Sequence, residues 1–207
     1  MKIFLCGQKS FGAAVLKRLI EDGHDIVGVS PAPQDRHYDK LKVAAIKAGA
    51  PLTVDGERLV SANIPSGTDL IVAAHSHWYI TSQSVAKARY GGIGFHPSLL
   101  PRHRGRDAVR WTIAMHDAVG GCTVYWLNDK IDGGDIIRRA PIMIPSGWDY
   151  HDYWRHMFQI GVDMISDAAR DIERGVAAHI PQEEECATWE PSFDVPRVPR
   201  RELIQLC

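Results

Sequence analysis

Short apolar runs alternate with amphipathic stretches along the first half of the chain. Each apolar run is bounded by glycine or polar residues, which is typical of strands buried in a parallel sheet. The predicted strands are 3–6, 25–30, 70–74 and 92–95, and the predicted helices between them are 10–22, 39–48 and 81–89. This alternation predicts an α/β fold with an open, mostly parallel sheet and helices on both faces. Ligands bind such sheets at the carboxyl ends of the strands.

The first predicted helix has clear end signals. Ser10 is the residue type that caps a helix N-terminus, and Gly23 is the type that follows a C-terminus. The turn before the helix, 7–12, has neither the glycine spacing of a dinucleotide-binding turn nor the Gly-Lys-Ser ending of a phosphate loop. We therefore interpret it as a plain strand-to-helix turn.

The second half of the chain changes pattern. Two β-rich segments on either side of a polar loop predict an antiparallel extension of the sheet. The predicted elements are a helix at 107–116, strands at 121–127 and 135–144, and a long amphipathic helix at 149–174. The residues after 187 contain several prolines and predict an irregular strap or tail. We predict one domain over residues 1–190 and a tail over 191–207.

Composition narrows the function classes. The chain has 207 residues, 45% of them hydrophobic, and a net charge of −1, so it has no general attraction for nucleic acid or membrane. No apolar run approaches the roughly 20 residues of a membrane helix, and the N-terminus does not have the form of a signal peptide. We expect a cytoplasmic protein without a membrane partner. Arginines concentrate at 102–110 and 197–201, which we interpret as solvated loop and tail charges.

Cysteines and most histidines indicate little chemistry. The four cysteines form no CxxC pair, so we expect free thiols without a disulfide framework or metal site. His75 and His77 have no third ligand nearby, so we expect them in a core or pocket wall and not on a metal. We expect His103 and His116 at the surface.

One histidine has a distinctive setting. The run 94–101 reads Gly-Phe-His-Pro-Ser-Leu-Leu-Pro, so His96 leaves an apolar strand at the edge where ligands bind. Asp132 follows 36 residues later, in the loop 129–135. That loop lacks the glutamate of a calcium-binding loop, so a polar turn explains its other aspartates. A histidine and an acid on adjoining strand ends can act as a general acid/base pair.

Several motifs, in order along the chain, resemble those of the folate-dependent formyltransferase family. The resemblance covers roughly residues 1–190, and the opening residues look most like the hydrolase domain of 10-formyltetrahydrofolate dehydrogenase. The motifs are His-Pro-Ser-Leu-Leu-Pro at 96–101, Arg-His-Arg-Gly-Arg at 102–106, Trp111, Gly-Cys-Thr at 121–123 and Ile-Asp-Gly-Gly-Asp-Ile-Ile at 131–137.

The resemblance implies a Rossmann-like fold that binds N10-formyltetrahydrofolate and moves its formyl group to an amine or to water. It implies that residues 1–190 are the catalytic domain and that His96 and Asp132 are the catalytic pair. It also implies that the pterin lies against two segments, largely through backbone groups. The residues are His77, Trp78, Tyr79 and Ile80 in the first segment, and Leu127, Asn128, Asp129 and Ile131 in the second.

Gly94 is the main departure from the family pattern. The family usually has Asn-x-His, with the asparagine amide donating to the oxyanion that forms at the formyl group, and here that place is Gly94. Loss of one oxyanion donor costs about 3–4 kcal/mol in an acyl-transfer site. Three explanations are open: a water or neighbouring side chain fills the gap, the enzyme is a hydrolase, or the protein chiefly binds folate. An asparagine introduced at position 94 should favour transfer if its side chain fits.

We predict formyl transfer from N10-formyltetrahydrofolate to the amine of a small-molecule acceptor. Hydrolysis to tetrahydrofolate and formate is the alternative, followed by a folate-binding protein with little turnover. The chain lacks the C-terminal β-barrel of methionyl-tRNA formyltransferase, so we do not expect tRNA as the acceptor. Because of the arginines at 102–110, an anionic acceptor such as a nucleotide sugar stays possible. The sequence does not indicate an oligomeric state.

Overall fold

Six strands form one sheet in a computed structural model of the protein, which describes residues 1–32, 39–53, 59–76 and 78–193. The strands are β1 (Lys2–Gly7), β2 (Asp25–Ser30), β3 (Leu70–Ala74), β4 (Gly92–His96), β5 (Val119–Trp126) and β6 (Ile136–Met143). Their order across the sheet is β2-β1-β3-β4-β5-β6. β1 to β4 are parallel, whereas β5 and β6 are antiparallel to their neighbours. The predicted open, mostly parallel sheet with an antiparallel extension is confirmed.

Five helices surround this sheet within the described part of the chain. They are α1 (Lys9–Glu21), α2 (Lys40–Lys47), α3 (Ser82–Val85), α4 (Ala108–Ala114) and α5 (Tyr150–Glu173), with 3₁₀ turns at Ser61–Asn63 and Glu184–Cys186. Asp39 and Asp149 cap α2 and α5, because each carboxylate accepts two N–H groups of the first turn. None of the described helices has the length and apolar character needed to cross a membrane.

The start of α1 differs from the sequence prediction. The helix begins at Lys9, and Gln8 is its N-cap, so Ser10 lies inside the first turn and does not cap it. The Lys9 N–H donates to a carboxylate oxygen of Asp39 at 2.8 Å, and the first helical hydrogen bond runs to the Gln8 carbonyl. With this long-range contact at its start, the helix begins two residues earlier than the capping signal indicated.

The predicted helix at 81–89 is shorter than expected and ends at Val85. The N–H groups of Arg89 and Tyr90 donate to carbonyls of the loop that precedes β3, at 3.0 and 2.7 Å. Those donors are therefore unavailable to a helix. The same bonds lead the chain directly into β4.

The two faces of the sheet are covered unequally. α1, α2 and α5 pack on one face around a large apolar cluster that includes Phe11, Leu16 and Ile165. A smaller cluster around Phe4 and Ile71 lies on the other face, beneath α3 and the first 3₁₀ turn. Helices on both faces are thus confirmed, although those on the second face are short.

β4 presents alternate side chains to these two faces. The centroids of the Phe95 and Phe11 rings lie 4.6 Å apart, on the face covered by α1 and α5. Because side chains alternate along a strand, Gly94 and His96 face the other way. His96 is therefore the last residue of a parallel strand, on the less covered face and beside the antiparallel strand β5.

Candidate active site

His96 is held in one orientation by the turn that follows β4. The residue is 5% exposed, and its Nε2 lies 2.6 Å from the carbonyl oxygen of His103. Because a carbonyl oxygen only accepts, Nε2 carries a hydrogen in either protonation state of the ring. Nδ1 is therefore the ring atom that can gain or lose a proton. It lies 3.5 Å from Oδ2 of Asp132.

Both carboxylate oxygens of Asp132 face hydrogen-bond donors. Oδ1 accepts the Tyr125 hydroxyl at 2.6 Å, and Oδ2 accepts the Gly105 N–H at 2.7 Å. These bonds fix the plane of the carboxylate and compensate its charge. The 3.5 Å between Oδ2 and His96 Nδ1 exceeds the usual hydrogen-bond range of about 2.7–3.2 Å. The imidazole and the carboxylate therefore face each other without a direct hydrogen bond of normal length.

The backbone around Asp132 requires particular residue types. Asp132 has a φ of 51°, in the left-handed region where aspartate and asparagine are enriched. A Cβ on Gly134 would lie 1.7 Å from the Trp126 carbonyl oxygen, so glycine is required there. The Asp-Gly-Gly sequence therefore specifies the conformation that turns the Asp132 carboxylate toward His96.

Tyr125 occupies the space that Gly94 leaves open. The two residues are register partners on β4 and β5, so their side-chain positions share one face of the sheet. A Cβ built on Gly94 would lie 2.7 Å from Cζ and 2.8 Å from the hydroxyl oxygen of Tyr125. A neighbouring side chain thus fills the volume beside Gly94, while its hydroxyl is bonded to Asp132. The three explanations for the missing asparagine donor stay open. The effect expected of an asparagine at position 94 was conditional on its side chain fitting, and that side chain would meet the Tyr125 ring unless the ring shifts.

The Tyr125 hydroxyl remains a hydrogen-bond donor over the ordinary pH range. Burial, followed by the charge of Asp132 and the hydrogen bond to it, raises the pKa of Tyr125 well above its ordinary value of 10.0. A protonated phenol gives its single hydrogen to Asp132. Tyr125 thus adds a third polar side chain to the predicted pair.

The C-terminal segment ties this loop in place through Gln182. Its Nε2 donates to the carbonyl oxygens of Asp132 and Gly134 at 2.8 and 2.7 Å. Its Oε1 accepts two bonds from the Arg104 guanidinium, at 3.1 and 2.8 Å. Arg104 also bonds Glu184, and hydrogen bonds from Arg104 and then Lys130 lower the pKa of Glu184 to about 2.

The arginine-rich segment 102–110 is not simply a solvated loop. The Arg104 side chain is 2% exposed and fully engaged, and Arg102 makes two bonds to Asp117 at 2.8 and 2.6 Å. Burial alone would raise the pKa of Asp117, but hydrogen bonds from Arg102 and His103 outweigh it, so that pKa is lowered from 3.8. These two arginines pair with carboxylates of their own chain, so neither presents an unpaired charge to an anionic acceptor.

His103 is also placed differently from the prediction. It was expected at the surface with His116, yet it is 2% exposed, whereas His116 is exposed. Its Nε2 lies 2.9 Å from Asp117 Oδ2, and its Nδ1 lies 3.0 Å from a carboxylate oxygen of Glu190. The two carboxylates are what allow a histidine to be buried here. This ring anchors the turn whose carbonyl holds His96.

The two segments expected to hold the pterin lie side by side. The Tyr79 hydroxyl donates to the Asp129 carbonyl at 2.9 Å and joins them. Ile80 is buried in the smaller core cluster, and Leu127 packs against it. Asn128, Asp129 and Ile131 are exposed, whereas Trp78 is half-buried. His77 lies outside the described residues, as do the segments 33–38, 54–58 and 194–207.

A cleft of about 490 Å³ opens beside the first of these segments. Its lining residues are Leu59, Val60, Ser61, Trp78, Tyr79, Thr81 and Gln83. Its volume and its two aromatic side chains suit a flat, drug-sized ring system. Neither His96 nor Asp132 lines this cleft.

Sequence reasoning missed Tyr125 and Gln182, and it singled out the motif 102–106 without assigning roles to Arg104 and Gly105. Tyr125 reaches the site through strand register, Gln182 and Arg104 through the return of the C-terminal segment, and Gly105 through a contact between two loops. The one local signal was the unusual glycine at position 94, because a missing side chain inside a buried strand leaves a volume for another residue to fill.

A family model described as Formyl transferase matches residues 1–168. The chain belongs to the formyl transferase family. Among its relatives, cytosolic 10-formyltetrahydrofolate dehydrogenase of Homo sapiens is 35% identical over 201 residues. The match covers 92% of this chain and 22% of the dehydrogenase, so the chain spans about a fifth of the length of such relatives. Methionyl-tRNA formyltransferase of Acidobacterium capsulatum is 27% identical, over 92% of this chain and 65% of that protein.

Solved structures of formyl transferases share the fold. An N-formyltransferase from Helicobacter canadensis, solved with folinic acid and dTDP-3-aminofucose, has a TM-score of 0.77 at 15% identity. That match covers 95% of this chain and 72% of the other. Glycinamide ribonucleotide transformylase 1 from Symbiobacterium toebii has a TM-score of 0.72 at 20% identity, over 88% of this chain and 93% of the other. These neighbours confirm a Rossmann-like formyl transferase fold.

Proposed function

We propose that the chain transfers the formyl group of N10-formyltetrahydrofolate to the amine of a small-molecule acceptor. The observation that carries the proposal is the His96–Asp132 pair at 3.5 Å, at the carboxyl end of β4, in a member of this family. In an open α/β sheet that edge is where ligands bind. The catalytic roles of both residues are part of the proposal.

His96 acts through Nδ1. When the acceptor nitrogen bonds to the formyl carbon, the C=O π electrons move to oxygen and form an oxyanion. A protonated Nδ1 can donate to that oxyanion, because Nε2 is already engaged with a backbone carbonyl. The charge of Asp132 beside the ring stabilises the imidazolium while it does so.

Asp132 accepts a proton from the attacking nitrogen. The attacking amine becomes cationic as its bond to carbon forms, and the carboxylate accepts one of its protons, directly or through water. Collapse of the intermediate breaks the bond between the formyl carbon and N10, and the released proton passes to N10. The products are a formamide and tetrahydrofolate, so atoms and charge balance.

Folate binding is proposed at the two joined segments. The Tyr79–Asp129 bond and the adjacent cleft support this placement, since aromatic side chains suit a pterin. The binding residues proposed are His77, Trp78, Tyr79, Ile80, Leu127, Asn128, Asp129 and Ile131.

The acceptor is proposed to be a small amine and not tRNA. Arg102 and Arg104 are paired with internal carboxylates, which reduces the support for an acceptor bound by those arginines. The proposed location is the cytoplasm, which is the compartment in the name of one Homo sapiens relative at 35% identity, whereas another at 35% identity is named mitochondrial.

Hydrolysis to tetrahydrofolate and formate is the second candidate. Two observations favour it: the 35% identity to a 10-formyltetrahydrofolate dehydrogenase, and the Tyr125 hydroxyl directed at Asp132 beside a residue 94 that has no side chain. Water must lose a proton as it attacks, whereas a neutral amine attacks first and loses its proton afterwards. Attack by water therefore needs a base that is already in position, and the Asp132 carboxylate is held in position by hydrogen bonds to both of its oxygens.

The test follows tetrahydrofolate formation with and without a panel of small amines. Acceptor-dependent turnover supports transfer, and prompt turnover without any amine favours hydrolysis over it. No turnover under either condition contradicts both activities and leaves a folate-binding protein.

Two variants test the catalytic pair. His96→Ala and Asp132→Asn should each lower kcat by about 10²- to 10⁴-fold, the range of general acid/base catalysis. Asp135→Asn is the matched control, because this carboxylate lies in the same loop and is 43% exposed. Near-normal rates in both variants of the pair would refute its assignment.

A further inference from the structure

We propose that Tyr125, which occupies the space beside Gly94, is a positioning residue that sets the orientation of the Asp132 carboxylate. The inference rests on the proposed function and extends it to a residue outside the predicted pair. The Tyr125 hydroxyl is directed at the carboxylate base.

The first support is steric. Gly94 and Tyr125 are register partners, and the ring carbon Cζ of Tyr125 lies 2.7 Å from the place of a Cβ on Gly94. Real Cβ atoms do not approach another carbon so closely, and Tyr125 is itself buried, with 7% of its surface exposed. A side chain at position 94 therefore requires the Tyr125 ring to shift from its present place.

The second support is the hydrogen bonding of Asp132. The Tyr125 hydroxyl holds Oδ1 at 2.6 Å, which leaves Oδ2 for the Gly105 N–H and for Nδ1 of His96. Without the hydroxyl, rotation of the carboxylate about its terminal bond would be restrained on one oxygen only. The hydroxyl thus determines which carboxylate oxygen faces His96.

Tyr125→Phe tests the positioning role, because it removes the hydroxyl and keeps the ring. We expect kcat to fall about 10- to 100-fold, because a hydrogen bond to a charged carboxylate contributes more than a hydrogen bond between neutral groups. KM for N10-formyltetrahydrofolate should stay unchanged. A merely structural role would lower the amount of folded enzyme and leave kcat per folded molecule intact.

Tyr153→Phe is the matched control. Tyr153 is fully buried, and its hydroxyl bonds the backbone N–H and carbonyl of Gly121 at 2.6 and 3.0 Å, away from the pair. This variant loses a buried hydroxyl of the same kind. It should lower the unfolding temperature and leave kcat per folded molecule unchanged.

A double-mutant cycle tests the shared volume without relying on turnover. Gly94→Asn alone should lower the unfolding temperature by about 5 °C, because the asparagine must displace the tyrosine ring. Combined with Tyr125→Val, which vacates the space, it should lower that temperature less than the sum of the two single changes.

The outcomes separate the two proposals. Wild-type turnover of N10-formyltetrahydrofolate together with an unchanged kcat in Tyr125→Phe would overturn the positioning role alone. Additive unfolding temperatures in the cycle would overturn the shared volume. Absence of wild-type turnover would overturn the proposed function itself, and with it the catalytic meaning of the tyrosine.

Discussion

Gln182→Glu separates the two roles of the glutamine that joins the C-terminal segment to the active-site loop. Arg104 is a pure donor, so the amide atom facing it is Oε1, and Nε2 faces the carbonyls of Asp132 and Gly134. A glutamate keeps the acceptor for Arg104. It replaces the donor by an oxygen that faces two carbonyl oxygens at 2.8 and 2.7 Å.

The expected cost follows from these contacts. Two neutral hydrogen bonds contribute about 1 kcal/mol each, so the variant loses about 2 kcal/mol before any repulsion between the facing oxygens is counted. If that loss is expressed at the Asp132 loop, kcat falls about 30-fold. Gln182→Ala should have an effect of similar size on the loop and should also remove an acceptor from the buried Arg104.

Urea unfolding and steady-state kinetics measure the two parts of this prediction. The unfolding midpoint should fall, and kcat should fall further than the loss of folded enzyme explains. Glu185→Gln, an exposed position three residues along, is the control and should change neither quantity. A wild-type kcat and midpoint in Gln182→Glu would refute the claim that the C-terminal segment holds the loop.

Three further predictions concern stability. Burial is the main cause that raises the pKa of Tyr125 well above 10.0 and the pKa of Tyr153 to about 12. We therefore expect no phenolate absorbance from these two side chains until the protein unfolds in alkali. Their neutral forms stabilise the fold below pH 10.0, and this contribution is lost as the pH rises above that value. Asp117→Asn should lower the unfolding free energy at neutral pH, and the difference from wild type should shrink as the pH falls below 3.8, because the pKa of Asp117 is depressed in the folded state. Gly134→Ala should disrupt the loop, since its Cβ would lie 1.7 Å from the Trp126 carbonyl oxygen, and loss of the native near-ultraviolet circular dichroism or of turnover would report this.

The strands and the position of His96 could be predicted because local pattern determines them. An apolar run bounded by glycine is a buried strand, and its last residue lies at the ligand-binding edge whatever the neighbouring strands are. Asp132 could be placed near His96 because its loop joins two β-rich segments.

Tyr125 could not be placed in the same way. Its role depends on the register between β4 and β5, and a shift by one residue would turn it to the other face of the sheet. Gln182 lies 50 residues beyond Asp132 in sequence, and no local pattern predicts where its segment returns. The burial of His103 likewise depends on two carboxylates that are distant in sequence, Asp117 and Glu190.

The fate of the formyl carbon tests the central claim most directly. The protein would be mixed with N10-formyltetrahydrofolate that carries an isotopic label in its formyl carbon, together with a panel of small amines, and the labelled carbon would be followed by NMR. We predict that the label appears in a formamide of one of the amines, and that His96→Ala abolishes this transfer. A label that stays on the folate, or that is released at the same rate by His96→Ala as by the wild type, would contradict the account.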